Sequence, residues 1–115
     1  MKKSTISIEV ELNEDKIPES IFWEASDSTI VQKQKAKAIL LAFWDSADKT
    51  ALRMDLWTKD MMVDEMADFF YQSLITMADT YDRATQHKEG AVSMKNFAKE
   101  FYSSFREKQL KENKA

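Results

Sequence analysis

The sequence predicts an α+β domain, with a four-stranded antiparallel sheet followed by two C-terminal helices packed on one face of the sheet. Up to residue 58, apart from the apolar run at residues 38–44, apolar and polar side chains alternate, which is the period of a strand. From residue 61 onward, apolar side chains recur every three to four residues, which is the period of a helix. A chain of 115 residues with one Gly and one Pro has the length of one domain and little room for long loops. We therefore place a single domain over residues 1–106 and expect a charged, frayed tail over residues 107–115.

Four strands are expected, at about residues 4–12, 20–26, 35–45 and 51–58. The first is the clearest, because Ile6 and Ile8 begin an apolar face and polar side chains alternate with them. Residues 13–16 are expected to form a turn. The second strand is expected to begin after Pro18, which lacks the N–H that a strand ladder needs, and to end where residues 27–29 break the alternation.

The segment from residue 32 to residue 45 is compatible with two structures. Its Lys, Gln and Ala residues favour a helix, whereas Phe43 and Trp44 favour a strand. We predict the strand, because residues 51–58 supply a hairpin partner across a turn at residues 46–49. Both faces of this strand are apolar, which is typical of a strand covered on both sides.

Two helices are expected, at about residues 61–84 and 94–106. Asp60 is the predicted N-cap of the first helix, and Asp64 follows close to the positive end of the helix dipole. The polar residues 82–90 are expected to connect the helices, with Ser93 as the N-cap of the second.

No set of residues in the sequence is arranged to carry out a reaction, so we expect no enzyme, no cofactor, no metal ion and no small-molecule substrate. The single His, His87, has no nucleophile or orienting partner near it in sequence. Gly90 is the only Gly, which excludes a glycine-rich phosphate loop. Oxygen ligands for a cation could come from an acidic group formed by Asp60, Asp64, Glu65 and Asp68. No calcium-loop motif surrounds that group, and the helix dipole accounts for the acidic residues of the first turn.

Charge and composition limit the partners and the compartment. The net charge of −3 and the alternation of Lys with Glu near the C-terminus argue against nucleic acid as a partner. The absence of Cys excludes disulfides and thiolate metal sites. Residues 1–3 begin like a signal peptide, but alternating strand residues follow them, and the longest apolar run, residues 38–44, is too short for a membrane span. We therefore expect a cytoplasmic protein.

The predicted sheet carries more apolar surface than two helices can cover. Two helices shelter one face of a four-stranded sheet, so large side chains on the second face would meet water unless another chain covers them. Either a second copy of the chain or another protein could cover this face, and we favour the second copy, which would make the protein a homo-oligomer, specifically a homodimer. The alternative is that all three Trp residues pack under the helices. The predicted interface residues are Phe22, Leu40, Trp44, Trp57 and, at the end of the first helix, Arg83, which could instead form an ordinary ion pair with Asp79.

Several stretches of the chain match a known family. They are Met1–Ile6, Ile21–Ala25, Ala36–Ala38, Trp44–Ser46, Asp55–Met61, Val63–Met66, Phe69–Phe70 and Met77–Thr80, which leads into Arg83–Thr85. With these stretches the chain resembles the GldC family of gliding-motility-associated proteins, over nearly its whole length up to about Phe105. One departure is Met62, where the family pattern would often place a Pro that fixes the first helical turn.

The resemblance implies a non-enzymatic accessory protein of the gliding machinery. It implies contacts with other proteins of that machinery, including a partner lipoprotein that would hold this cytoplasmic protein at the inner membrane. A looser analogy concerns only the order of elements, because four antiparallel strands followed by two helices is also the order in the export chaperone SecB. The alternative function is therefore a SecB-like chaperone or carrier that binds extended apolar segments of exported proteins.

Overall fold

A computed structural model describes residues 2–26 and 33–113 of the chain. Within these ranges five strands precede two helices, which confirms the predicted α+β class. The strands belong to one compact unit, Met1–Met61, and the helices to a second, Met62–Ala115, and each unit is described by itself. Neither helix, over its described residues, is long and apolar enough to cross a membrane.

The first sheet has three antiparallel strands, β1 (Ile6–Leu12), β2 (Pro18–Ala25) and β3 (Gln34–Ala36), in that order. β1 and β2 form a hairpin in which Ile8 lies opposite Trp23. Pro18 is the first residue of β2 and does not precede the strand as predicted, because at that position its missing N–H removes no essential ladder bond. The predicted break at residues 27–29 falls outside the described residues.

The predicted turn between β1 and β2 is confirmed. The side-chain oxygen of Asn13 accepts hydrogen bonds from the N–H groups of Asp15, at 2.9 Å, and Ile17, at 3.0 Å. Lys16 takes the left-handed backbone conformation that closes the turn. The sheet is centred on Ile21, which is fully buried.

The second sheet is a hairpin of two strands, β4 (Ala38–Asp45) and β5 (Thr50–Trp57), called the β4–β5 hairpin below. The prediction of a single four-stranded sheet is therefore wrong. The predicted third strand exists in place of a helix, but it is interrupted at Lys37. The carbonyl oxygen of Lys37 accepts a hydrogen bond from the Thr58 N–H at 2.8 Å. The chain changes its strand partner at this residue, from β2 to β5.

The first helix, α1, spans Val63–Thr85, but the predicted N-cap Asp60 is wrong. Met62 occupies that position with an extended backbone, and its N–H donates to Oε1 of Glu65 at 3.1 Å. Asp60 instead accepts a hydrogen bond from the hydroxyl of Thr58 at 2.6 Å. Its carboxylate is thus engaged by the end of the sheet and does not satisfy the first turn of the helix.

The second helix, α2, spans Lys88–Glu112, so Ser93 is not its N-cap and residues 82–90 are not a loop. Gln86 and His87 alone separate the helices. Gln86 adopts the left-handed conformation, with φ of 61°, that ends a helix without a glycine. The chain therefore reverses direction within two residues, which the long polar stretch conceals in the sequence.

The predicted fraying of the C-terminal tail is wrong for residues 107–112, which continue α2. Lys, Glu and Gln dominate this stretch and are strong helix formers, so a polar composition does not end the helix. Residues 114–115 lie outside the described range.

α1 and α2 pack side by side as an antiparallel helical hairpin. Four small buried side chains allow the two backbones to approach: Ala67, Ala78, Ala91 and Ala98. The rings of Tyr71 and Tyr102 lie 5.0 Å apart, and Nζ of Lys95 lies 2.7 Å from Oδ1 of Asp79. The predicted packing of the helices on a sheet face stays a prediction.

Candidate protein-contact surface

Thr58 anchors the base of the β4–β5 hairpin. It is 2% exposed, and its hydroxyl lies 3.1 Å from the Lys37 carbonyl oxygen and 2.6 Å from Oδ1 of Asp60. The hydrogen bond from the hydroxyl, together with a backbone hydrogen bond, lowers the pKa of the Asp60 carboxyl. These hydrogen bonds lie at the residue where the chain passes from the three-stranded sheet to the β4–β5 hairpin.

One face of the hairpin is entirely apolar between its base and its tip. Three direct cross-strand pairs form this front face: Ile39 with Leu56, Leu41 with Met54, and Phe43 with Leu52. Phe43, Leu52 and Met54 are 59%, 55% and 54% exposed. In most antiparallel sheets such a row faces a core, whereas here more than half of each of these side chains meets solvent.

The opposite face, the back face, combines large aromatic side chains with an ion pair. It contains Ala38, Leu40, Ala42 and Trp44 of β4 and Ala51, Arg53, Asp55 and Trp57 of β5. Trp44 is 70% exposed and Trp57 is 58% exposed. A guanidinium nitrogen of Arg53 lies 3.1 Å from Oδ1 of Asp55, with both side chains near half exposed. An exposed ion pair of this kind contributes little to the free energy of unfolding. It does give the back face one positive and one negative charge.

Burial of the exposed apolar side chains of the hairpin by another chain would contribute a sizeable hydrophobic free energy. Complete burial of a large apolar side chain contributes roughly 1.5–3 kcal/mol. Five large apolar side chains of the hairpin keep more than half of their surface in water: Phe43, Trp44, Leu52, Met54 and Trp57. Covering all five would contribute on the order of 5 kcal/mol, which approaches the net stability of a small domain. The hairpin is therefore the strongest candidate for a surface that another polypeptide covers.

β5 also presents a free strand edge. Within residues 2–26 and 33–113 it pairs only with β4. An edge of this kind exposes backbone N–H and C=O groups that can add a further strand. Near the base of the hairpin, a shallow apolar depression is lined by Ile17, Pro18, Asp55, Leu56 and Trp57. The apolar surface of the hairpin thus extends to the turn that precedes β2.

The structure brings three of the five predicted interface residues together. Leu40, Trp44 and Trp57 share the back face. Phe22 does not join them, because it lies on β2 opposite Glu9 and Lys35, on the polar face of the three-stranded sheet. The sequence-based set did not contain the front face, although its alternating apolar residues are visible in the sequence.

Arg83 lies in the last turn of α1, on the helical unit. One of its guanidinium nitrogens is 3.4 Å from the hydroxyl oxygen of Thr80. Asp79, the partner suggested by spacing, is paired with Lys95 of α2. Arg83 is thus near the connection between the helices and away from the residues of the hairpin in sequence.

The residues that the sequence offered as candidates for catalysis or metal binding make contacts with neighbours in the chain. Nδ1 of His87 lies 2.8 Å from the hydroxyl oxygen of Tyr81, and a methyl group at Gly90 would stand 2.6 Å from the same nitrogen. Oδ1 of Asp64 accepts a hydrogen bond from the N–H of Glu65 at 3.0 Å. Across the described ranges, no three His, Cys, Asp or Glu residues are grouped as ligands of a metal ion would be.

The family described as gliding motility-associated protein GldC-like matches residues 18–107 of the chain. The match begins at the first residue of β2 and ends within α2, so it includes the whole β4–β5 hairpin and the connection between the helices. No curated protein and no solved structure matches the chain significantly.

Proposed function

The chain belongs to the family of gliding motility-associated GldC-like proteins, and on that premise we propose that it is a non-enzymatic accessory protein of the gliding machinery. In this proposal the protein works through contacts with other proteins, and the β4–β5 hairpin makes those contacts. The single observation that carries the proposal is the exposure of large apolar side chains on both faces of this hairpin.

The chemistry of the hairpin favours proteins as its partners. Aromatic residues, Met and Arg are the types enriched at protein interfaces. The hairpin presents Trp44, Trp57 and Arg53 on its back face and Met54 on its front face. We propose that the partners are other proteins of the gliding machinery, including a lipoprotein that holds this cytoplasmic protein at the inner membrane. A second copy of the chain is a further proposed partner.

The proposal is tested in a gliding host by comparing two substitutions that each introduce Glu at an exposed apolar residue. Trp44→Glu places a charge on the back face, and Leu110→Glu places one on α2, at a residue that is 59% exposed and lies beyond the family match. After gentle crosslinking, the Leu110→Glu chain should retain the same identified gliding proteins as the unaltered chain, and cells that carry it should glide normally.

The Trp44→Glu chain should lose those proteins and reduce gliding while remaining folded, as judged by circular dichroism. Equal recovery of gliding proteins with both variants would refute the proposal. So would recovery of no gliding protein with the unaltered chain, under conditions where a known complex of the machinery is recovered.

A SecB-like chaperone or carrier is the second candidate, favoured by the apolar faces and the free edge of β5, to which an extended segment could add. Light scattering with and without an unfolded client protein separates the two functions. A fixed oligomer that ignores clients supports the accessory function. Micromolar binding of several unrelated unfolded chains supports the chaperone.

A further inference from the structure

From the edge of β5 we infer that this strand pairs antiparallel with β5 of a second copy of the chain, about a two-fold axis that passes midway between the Met54 residues of the two copies. The inference rests on the proposed function, because it names one occupant of the same hairpin. Beyond the proposed function, the inference specifies which strand makes the contact, in which register the strands pair, and by which symmetry the two copies are related.

The backbone of β5 is oriented for such pairing. The hydrogen bond from the Thr58 N–H to the Lys37 carbonyl continues the β4–β5 register by one pair beyond Ala38 and Trp57. Residues of a strand point their backbone groups alternately to either side, so the even-numbered residues of β5 face β4. The odd-numbered residues, Ala51, Arg53, Asp55 and Trp57, therefore direct their N–H and C=O groups toward the free edge.

The sequence of β5 is complementary to itself when read in the opposite direction. The central residues are Leu52-Arg53-Met54-Asp55-Leu56. Antiparallel pairing centred on Met54 places Arg53 opposite Asp55 of the second copy, and Asp55 opposite Arg53 of the second copy. Leu52 then lies opposite Leu56 of the second copy. The two-fold symmetry thus gives two cross-strand pairs of opposite charge, and these define the register as well as the partner.

The same register also matches side-chain sizes. Trp57 falls opposite Ala51 of the second copy, so a large ring lies beside a methyl group on the back face. Because the paired residues lie on the same side of the sheet, the two front faces become one continuous apolar surface on a four-stranded sheet. In this register the odd-numbered residues of the two β5 strands form the hydrogen-bonded pairs. These are the residues whose backbone N–H and C=O groups face the free edge.

The outer edge of β1 offers no equivalent charge complementarity, because both charged residues of this strand are acidic. β1 carries Glu9 and Glu11, with Val10 between them. Antiparallel self-pairing centred on Val10 would set Glu9 opposite Glu11 of the second copy, and like charges directly opposite one another are destabilising. β4 carries a single charged residue, Asp45 at its end, and so has no charge pair that could define a register. β5 is the strand whose charges favour pairing with itself.

Charge reversal tests the register directly. Arg53→Asp gives a strand with two acidic residues, and Asp55→Arg gives a strand with two basic residues. Each variant alone would place like charges opposite one another and should dimerise at least tenfold more weakly than the unaltered chain. A mixture of the two variants restores opposite charges across the axis, so mixed dimers should form with near-normal affinity.

Native mass spectrometry of the two single variants, alone and mixed, is the decisive measurement. Intramolecular loss of the Arg53–Asp55 ion pair cannot account for recovery in the mixture, because each chain still lacks that pair. The double variant R53D/D55R retains the pair within each chain and should dimerise like the unaltered protein. Lys108→Glu, a reversal at an exposed ion pair of α2, should leave dimerisation unchanged.

Each result bears on the inference separately from the proposed function. Absence of mixed dimers, or equal dimerisation of all variants, would overturn the pairing of β5. If the Trp44→Glu chain still lost its gliding partners in that case, the proposed function would stand without this contact. Mixed dimers together with unchanged recovery of gliding proteins by Trp44→Glu would support the pairing and refute the proposed function of the hairpin.

Discussion

Thr58→Val should destabilise the strand unit by a small, defined amount at neutral pH. Valine preserves the shape of the buried side chain and removes the hydroxyl that lies 2.6 Å from Oδ1 of Asp60. The Lys37 carbonyl keeps its hydrogen bond from the N–H of residue 58, at 2.8 Å, so no buried acceptor is left unpaired. The expected loss is therefore that of one net hydrogen bond from a buried hydroxyl, about 1 kcal/mol.

The pH dependence of this loss has a fixed sign. The Thr58 hydroxyl lowers the pKa of Asp60 in the folded chain below its unfolded value. A carboxyl with a lowered pKa stabilises the folded state above the unfolded pKa, and this contribution disappears as the pH falls through the folded pKa. The difference in stability between the unaltered chain and Thr58→Val should therefore shrink on acidification, and the pKa of Asp60 should rise in the variant.

Urea unfolding followed by Trp fluorescence at several pH values measures the first quantity, and carboxyl NMR titration measures the second. Thr76→Val is a suitable control, because its exposed hydroxyl bonds to the Gln72 carbonyl within its own helix. A Thr58→Val chain as stable as the unaltered one at neutral pH would refute the stabilising role of the Thr58 hydroxyl. A destabilisation that grows as the pH falls would refute the assignment of Asp60 as the acceptor.

Two further predictions concern the helical hairpin. Gly90→Ala should not gain the roughly 1 kcal/mol that Ala usually contributes over Gly in a helix, because the added methyl would stand 2.6 Å from His87 Nδ1. Thermal unfolding measures this, and a full gain with an unchanged His87 NMR signal would contradict the reported contact. Ala98→Leu should destabilise α1–α2 packing by roughly 1–3 kcal/mol, since Ala98 is fully buried. The same change at exposed Ala84 should alter stability little, and equal effects at both positions would be inconsistent with the packing described.

The class of the fold follows from the sequence, because period and composition act locally. The change of period near residue 60 separates strands from helices, and the turn at Asn13 has a side chain that can bond its own backbone. Alternation cannot show which strands pair. The break at Lys37 depends on a hydrogen bond from Thr58, 21 residues later in the chain, and no local pattern marks it.

The helix ends show a similar limit. Asp60 is a residue type that is common at the N-cap, but its carboxylate accepts a hydrogen bond from Thr58. Met62 is the N-cap residue instead. The chain reverses between the helices at Gln86, a residue that seldom adopts the left-handed conformation. A search of the sequence for Gly or Asn therefore places the turn too late.

The candidate surface was partly predictable. Trp44 and Trp57 have the same placement by strand alternation in the sequence and in the structure, on the back face. The front face has the same alternating pattern as a buried strand face, so exposure of Phe43 and Leu52 cannot be read from the pattern. The self-complementary order of Arg53 and Asp55 about Met54 is visible in the sequence, but it acquires meaning only once β5 is known to be an edge strand.

Disulfide formation at the proposed axis tests the central claim most directly. The chain has no Cys, so single substitutions report one contact each. Pairing centred on Met54 brings residue 54 of two copies to a Cα separation of about 4.5 Å, within disulfide range. Residue 52 of the two copies would be separated by roughly 13 Å along the strands, beyond that range.

Met54 and Leu52 lie on the same face and are 54% and 55% exposed, so Met54→Cys and Leu52→Cys are closely matched. Mild oxidation followed by non-reducing electrophoresis should give covalent dimers of Met54→Cys rapidly and of Leu52→Cys slowly. Equal rates for the two variants, or faster crosslinking through residue 52, would contradict the claim that β5 pairs with itself about Met54.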